Sequence, residues 1–176
     1  MCENPHPPPE GMAVPGSRRT PPMMEYRPLE ASEEANVVRL ISDVYREVLG
    51  REINKFVRDE VRRILEEFDD SQDLFLIAEH DGDLVGTLIM EHSNPEPGCC
   101  NMQFLAVRSD HRGHGHGHEL LTKGIDFART AGYVTVEINA TADFDFALGM
   151  YERMGFEHID TYLWQENEVY TFDKFL

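Results

Sequence analysis

The chain is short of lysine. Of 16 basic residues only Lys55, Lys123 and Lys174 are lysines, against 33 acidic ones, and the formal charge is −17. A net basic surface of the kind that binds nucleic acid is thereby excluded for the chain as a whole. Cationic partners would instead be drawn to it. Much acid with little lysine suits a salt-rich solvent, so an unfolding titration should find greater stability at molar salt than without salt. Cysteine is also scarce. Cys2, Cys99 and Cys100 are odd in number and match no zinc spacing, which excludes a disulfide framework. Adjacent Cys99 and Cys100 read as small buried residues in a strand. No apolar run approaches the roughly 18 residues needed to cross a bilayer. The N-terminus lacks the charged start and apolar middle of a signal peptide. A soluble, cytoplasmic protein is expected, with no membrane or nucleic-acid partner.

What is present suits one hydrophobic core: 176 residues, 41% of them hydrophobic. Residues 1–23, rich in proline and glycine and without apolar period, read as a disordered tail. Residues 24–176 read as a single domain. "MEYRPL" predicts a first strand. Ser32 is placed to cap a helix carrying Glu33 and Glu34 in its first turn. Val37, Ile41, Val44 and Val48 continue that helix to Gly50. A second helix from Asn54 carries Val57, Val61, Ile64, Leu65 and Phe68 on one face, with a charged face opposite.

The period then shortens. "LFLIAE" and "LVGTLIME" flank Asp81-Gly82, a strong hairpin signal. "CCNMQFLAV" is the next strand. A helix with Leu121, Ile125 and Ala128 follows and closes at Gly132. "YVTVEINA" is a strand, Asp143 or Asp145 caps a helix through Tyr151, and "FEHIDTYLW" and "EVYTFDKFL" make a last pair. The order β-α-α-β-β-β-α-β-α-β-β predicts an α/β (α+β) fold: a mixed, mostly antiparallel twisted sheet of about six or seven strands with helices on both faces.

Between strand and helix lies "RGHGHGHELL", residues 112–121. Helix N-termini carry unpaired N–H groups that bind phosphates, and glycines let an anion come close. No Gly-Lys-Ser/Thr follows, so this is not a P-loop. A dinucleotide G-x-G-x-x-G fails because residue 120 is Leu. A metal site would need three or four ligands converging at about 2 Å. A glycine-spaced turn aims His114, His116 and His118 apart, so no metal is expected.

The spacing Arg112-x-x-Gly115-x-Gly117, five residues after "FLAV", resembles the acetyl-CoA signature of the GCN5-related N-acetyltransferase (GNAT) family. "ALGMYERMGF", with Ala147, Tyr151 and Gly155-Phe156, resembles that family's later helix. The order of elements is similar from about residue 24 onward. The resemblance implies an acetyl-CoA-dependent N-acyltransferase, with acetyl-CoA as cosubstrate. It implies that Leu105, Ala106 and Val107 pair with the pantetheine arm, and that a bulge aims Leu105 at the thioester carbonyl. The N–H groups from Arg112 through Gly113, His114, Gly115, His116 and Gly117 to His118 would hold the pyrophosphate. Tyr151 would protonate the leaving thiolate and also touch the cofactor. The strand "VEINA" would splay from "FLAV", and transfer would be direct, without an acyl-cysteine.

Two positions depart from the family pattern. Phe144 stands where many members have a CoA-binding Asn, and Gln103 where many have a Glu base. Glu137, Glu91, His92 or a water chain is then the candidate base, with Glu137 the residue assigned beside Gln103. Read without the resemblance, Tyr151 is a half-buried aromatic and Glu137 a solvent-facing strand residue. The acceptor groove would lie between "LGREIN" and "WQENE", whose Glu52, Glu166 and Glu168 suit a cationic small-molecule or peptide amine. A homodimer is compatible with the family. The alternatives are a non-catalytic acyl-CoA-binding module or sensor and, third, a metal-binding protein built on the histidines.

Overall fold

The computed structural model describes residues 23–92 and 95–176; residues 1–22 of the proline-rich tail lie outside them. Seven strands and four α-helices follow one another as β1 (Met24–Pro28), α1 (Glu34–Leu49), α2 (Asn54–Glu66), β2 (Leu74–His80), β3 (Asp83–Glu91), β4 (Cys99–Val107), α3 (His116–Ala131), β5 (Thr135–Thr141), α4 (Asp145–Arg153), β6 (Glu157–Trp164) and β7 (Asn167–Phe175). The element order is the one expected. All strands pair antiparallel except β4 with β5, in the order β1-β2-β3-β4-β5-β7-β6. No described helix is long and apolar enough to cross a membrane.

Alternation along the central strands sorts side chains to two faces. Val37, Ile41, Val57, Val61 and Ile64 of α1 and α2 cover Phe75, Ile77 and Ile89. On the other face Leu120, Leu121, Ile125 and Ala128 of α3 cover Leu76, Leu88, Met90, Met102 and Ile138. Gly124 makes that contact close: a Cβ there would lie 2.8 Å from Leu88 Cδ2. Asp81 and Gly82, both at positive φ (52° and 87°), form the tight β2–β3 turn.

Several local expectations are corrected. Ser32 does not cap α1. It lies within a 3-10 turn, Ala31–Glu33, that carries a reciprocal Glu30–Glu33 capping box ahead of the helix. Neither Asp143 nor Asp145 caps α4: the N-cap position is Phe144. The Asp145 carboxylate instead accepts from Phe146 N–H at 2.7 Å. Phe68 falls beyond α2 and is exposed. Arg63 is not simply on a solvated face, because its guanidinium reaches the buried Glu91 at 2.8 Å.

Two features of β4 create the site. Its parallel pairing with β5 runs only from Cys99↔Thr135 to Met102↔Ile138, after which the strands part. On its other edge the register passes from Ile89↔Gln103 to Thr87↔Ala106. Phe104 and Leu105 therefore face the single residue Leu88, a β-bulge. Phe104 takes φ +48° there. The left-handed backbone costs a non-glycine residue about 1–2 kcal/mol. Turning its ring into the α1/α2 cluster, against Tyr45 at 6.0 Å, buries a side chain worth about 1.5–3 kcal/mol. Burial offsets the strain.

Candidate active site

Between the end of β4 and α4 lies a cavity of about 550 Å³. Leu105, Ala106 and Val107 form one wall and the turn before α3 forms its end, with Arg112, Gly113, Gly115, His116, Gly117 and His118 all lining it. His114 does not line it: its imidazole is exposed and its Nδ1 donates to Arg112 O at 2.8 Å. Gly113 and Gly115 sit at φ +77° and +86°, and a Cβ added to either would meet nothing within 4 Å. The turn thus presents bare backbone. The first helical bond of α3 is Glu119 N→Gly115 O, which leaves the N–H groups of His116, Gly117 and His118 without a helical carbonyl. These are donors suited to phosphate oxygens.

Arg112 is held on two sides. Its Nε donates to Val107 O at 2.8 Å and its Nη1 to Glu47 at 3.0 Å. Its Nη2 is buried with no protein partner among the described residues. A charged donor in that state fits an anionic ligand in the cavity.

The histidines do other work. Tyr26 OH and His116 Nδ1 lie 3.0 Å apart, and His80 Nδ1 lies 3.1 Å from His111 Nε2. Burial, then repulsion from His114, His111 and His80, keeps His116 below the usual imidazole value. Among the described residues no three His, Cys, Asp or Glu side chains are grouped to hold a metal ion.

Beyond Leu105, Phe144 and Ala147, which line both spaces, a smaller cavity of about 30 Å³ continues where the strands part. Tyr151 lines it from α4. Tyr151 is 4% exposed, between Phe156 and Phe172, and its hydroxyl makes no hydrogen bond to another described residue. Burial, and then the neighbouring Tyr45, hold its phenol well above the ordinary tyrosine value. It therefore stays protonated and free to donate.

Gln103 and Glu137 are not brought to this point, since neither lines either cavity. The Gln103 amide donates to Glu91, whose carboxylate is 3% exposed and also paired with Arg63. Glu137 sits lower on β5, opposite Asp173 of β7, and accepts from Asn139 Nδ2 at 3.0 Å. Burial, then the charge of Glu137, raises the Asp173 carboxyl above its usual range. His92 is tied to Asp73 at 2.9 Å.

The sequence reading passed over Tyr45, Asn139 and Thr141, all of which line the small cavity. Tyr45 had one available signal: it lies four residues after Ile41, on the apolar stripe of α1. Burial pushes its phenol up to about 12. Across the outer face, the Phe56 and Trp164 rings lie 5.1 Å apart and Arg51 Nη1 donates to Gln165 O at 3.4 Å. The α1–α2 side and the β6–β7 turn thus meet above the sheet.

The model of the acetyltransferase (GNAT) family matches residues 39–156. Solved structures share the fold at low identity. An acetyltransferase of the GNAT family from Staphylococcus aureus Mu50 aligns with TM-score 0.76 at 14% identity, covering 87% of this chain and 99% of that one. The ribosomal-protein-alanine N-acetyltransferase of Brucella melitensis gives 0.71 at 18%, covering 86% and 99%. The yncA protein of Salmonella typhimurium, solved with its cofactor acetyl-CoA, gives 0.67 at 15%, covering 87% and 94%. The family match takes in the bulged strand, the glycine turn and the Tyr151 helix together, and the chain belongs to the acetyltransferase (GNAT) family, whose cosubstrate is acetyl-CoA.

Proposed function

We propose that the protein transfers an acetyl group from acetyl-CoA directly to an amine. The observation that carries this reading is a pair of adjoining cavities that share Leu105, Phe144 and Ala147. The bare-backbone turn with the unpartnered Arg112 Nη2 leads along Leu105–Val107 to the protonated Tyr151. The fit to acetyl-CoA is chemical at both ends: N–H groups and a guanidinium for phosphates, and an apolar slot with a phenol for a thioester. When bound, acetyl-CoA supplies an acyl group already activated for attack.

The chain's own residues then have distinct tasks. The N–H groups from Gly113 to His118 and the Arg112 side chain hold the pyrophosphate, the Arg112 N–H being taken by Ser109 O at 3.3 Å. The exposed edge of β4 at Leu105, Ala106 and Val107 pairs with the arm. The bulge leaves Leu105 without a register partner on β3, so its N–H is the candidate donor to the thioester oxygen. Tyr151 donates its proton to the departing sulfur. Cys99 and Cys100 take no part: burial raises their thiols to about 11 and about 12, which keeps them from being thiolates.

No carboxylate or imidazole is among the residues around the small cavity that Tyr151 lines. The amine therefore loses its proton before it reaches the thioester, in the acidic groove outside. The acids there are Glu52, Asp59 and Glu60, which line a surface cavity together with Gln165 of the β6–β7 turn, and a cationic amine is the class they suit. The same lack of a base next to Tyr151 favours a second reading, an acyl-CoA-binding module without turnover. Calorimetric titration with acetyl-CoA, followed by thiol release with spermidine, lysine and an alanine-terminated peptide, separates them. Stoichiometric binding with amine-dependent thiol release is expected. Binding without release from any amine would favour the module, and no binding would end both readings.

A further inference from the structure

Six buried side-chain polar atoms lack a protein partner among the described residues: Ser42 Oγ, Arg51 Nη2, Arg112 Nη2, Thr141 Oγ1, Asn167 Nδ2 and Asp173 Oδ1. Two of the residues that carry them line the adjoining cavities, Arg112 the larger and Thr141 the smaller. The phosphate end already explains the first. The second has no use in the transfer as described.

Thr141 closes β5 and is 8% exposed. Its backbone is held on both sides. It pairs with Val169 of β7, Ala142 N donates to Glu168 O at 2.9 Å, and Phe144 N donates to the Thr141 carbonyl at 3.0 Å. A β-branched side chain on a fixed strand has few rotamers, and in the one it takes the hydroxyl is shut off from solvent. A buried hydroxyl without a partner destabilises the protein that carries it. Natural structures keep such groups where something else completes them. Most of the rest of the wall is apolar or aromatic, and its one amide, Asn139, is already engaged by Thr171 and Glu137. Leu105, Phe144 and Ala147 are shared with the lining of the larger cavity.

A ligand threaded from the phosphate turn would arrive at Thr141 with uncharged carbonyl groups. The arm of CoA carries amide carbonyls and ends in a thioester carbonyl. We propose that Thr141 is a cosubstrate-binding residue, its hydroxyl donating a hydrogen bond to a carbonyl oxygen near the thioester end of the bound acyl-CoA. This rests on the acetyl-CoA reading above. It assigns β5 a polar contact across the gap from β4, so that the arm is held from both sides.

The test compares Thr141→Val, which keeps the shape and removes the hydroxyl, with Thr141→Ser, which keeps the hydroxyl. Calorimetry measures the affinities of acetyl-CoA, CoA and ADP, the last having the pyrophosphate but no arm. Loss of one neutral hydrogen bond is expected to weaken Thr141→Val roughly three- to tenfold, with ADP unchanged and Thr141→Ser close to the parent. Weakening of acetyl-CoA and CoA alike places the contact on an amide carbonyl, and weakening of acetyl-CoA alone places it on the acyl carbonyl. Thermal unfolding of the unliganded protein supplies a readout of opposite sign. Thr141→Val should melt no lower than the parent, because an unpaired hydroxyl has been removed. Equal affinities for all three ligands in parent and variant would overturn the proposal, as would equal weakening of all three or a lower melting temperature of the free variant. A parent that binds ADP but shows no gain from the arm would instead take down the acetyl-CoA reading itself.

Discussion

Replacing Gly115 by Ala isolates what the turn before α3 does. Gly115 sits at φ +86° and an added Cβ would meet nothing within 4 Å. The substitution therefore brings no clash, only the left-handed backbone penalty of about 1–2 kcal/mol for a residue with a Cβ. The unfolded chain of the alanine variant has less freedom to lose, which returns about 0.4–1 kcal/mol. The net loss is about 1 kcal/mol, and for a chain of this size that is roughly 2–4 °C in Tm. Gly132, the C-cap of α3, provides the control, being at φ +89° with nothing within 4 Å of its added Cβ. Gly132→Ala should melt lower by the same few degrees. The two variants part on ligand binding. Gly115 lines the large cavity and Gly132 does not, so acetyl-CoA affinity should fall at least roughly tenfold in Gly115→Ala and stay at the parent value in Gly132→Ala. Thermal unfolding by circular dichroism and calorimetric titration read both quantities on the same samples. Equal acetyl-CoA affinity in the two variants would refute the assignment of the turn. A melting point lower by far more than these few degrees would refute the local account of the strain.

Four further outcomes follow from the geometry. Tyr151→Phe should retain acetyl-CoA binding and lose about 10²–10⁴ in kcat, the range for a proton donor; unchanged kcat in thiol-release assays would remove Tyr151 from the mechanism. Because its phenol lies above the ordinary tyrosine value of about 10, the parent's rate should show no alkaline fall at or below that pH from this group. Changing Cys99 and Cys100 together to Ser should leave turnover in place, since both thiols are buried and protonated; a folded double variant without turnover would point to an acyl-cysteine. His92 is raised above the usual imidazole value, first by its hydrogen bond to Asp73, with burial opposing. Its contribution to stability is therefore full below about pH 6.5 and lost as pH rises through the higher folded value. His92→Ala should flatten the urea midpoint across that window, and an unchanged slope would show that the pair does not matter to folding.

Much of the molecule was legible in the order of residues because local rules decide it. Period and punctuation place the helices and strands, since apolar spacing and Gly50, Asp81-Gly82 and Gly132 act within a few residues of themselves. The glycine turn is equally local: positive φ at Gly113 and Gly115 needs no distant partner. That Leu105–Val107 would stand beside the turn at one site was what the resemblance to the GNAT family implied, and both line the large cavity. Tertiary structure decided the rest. Phe104 takes a left-handed backbone because its ring finds the α1/α2 cluster, and no strand pattern foretells a bulge at an aromatic residue. Gln103 turns to Glu91 because α2 brings Arg63 to that carboxylate from 28 residues away. Tyr45 and Thr141 reach one cavity from α1 and β5 only after the sheet has formed and its two central strands have parted. A residue's own neighbours in sequence set its backbone. Which residue is left lining a cavity depends on what every other element has already covered.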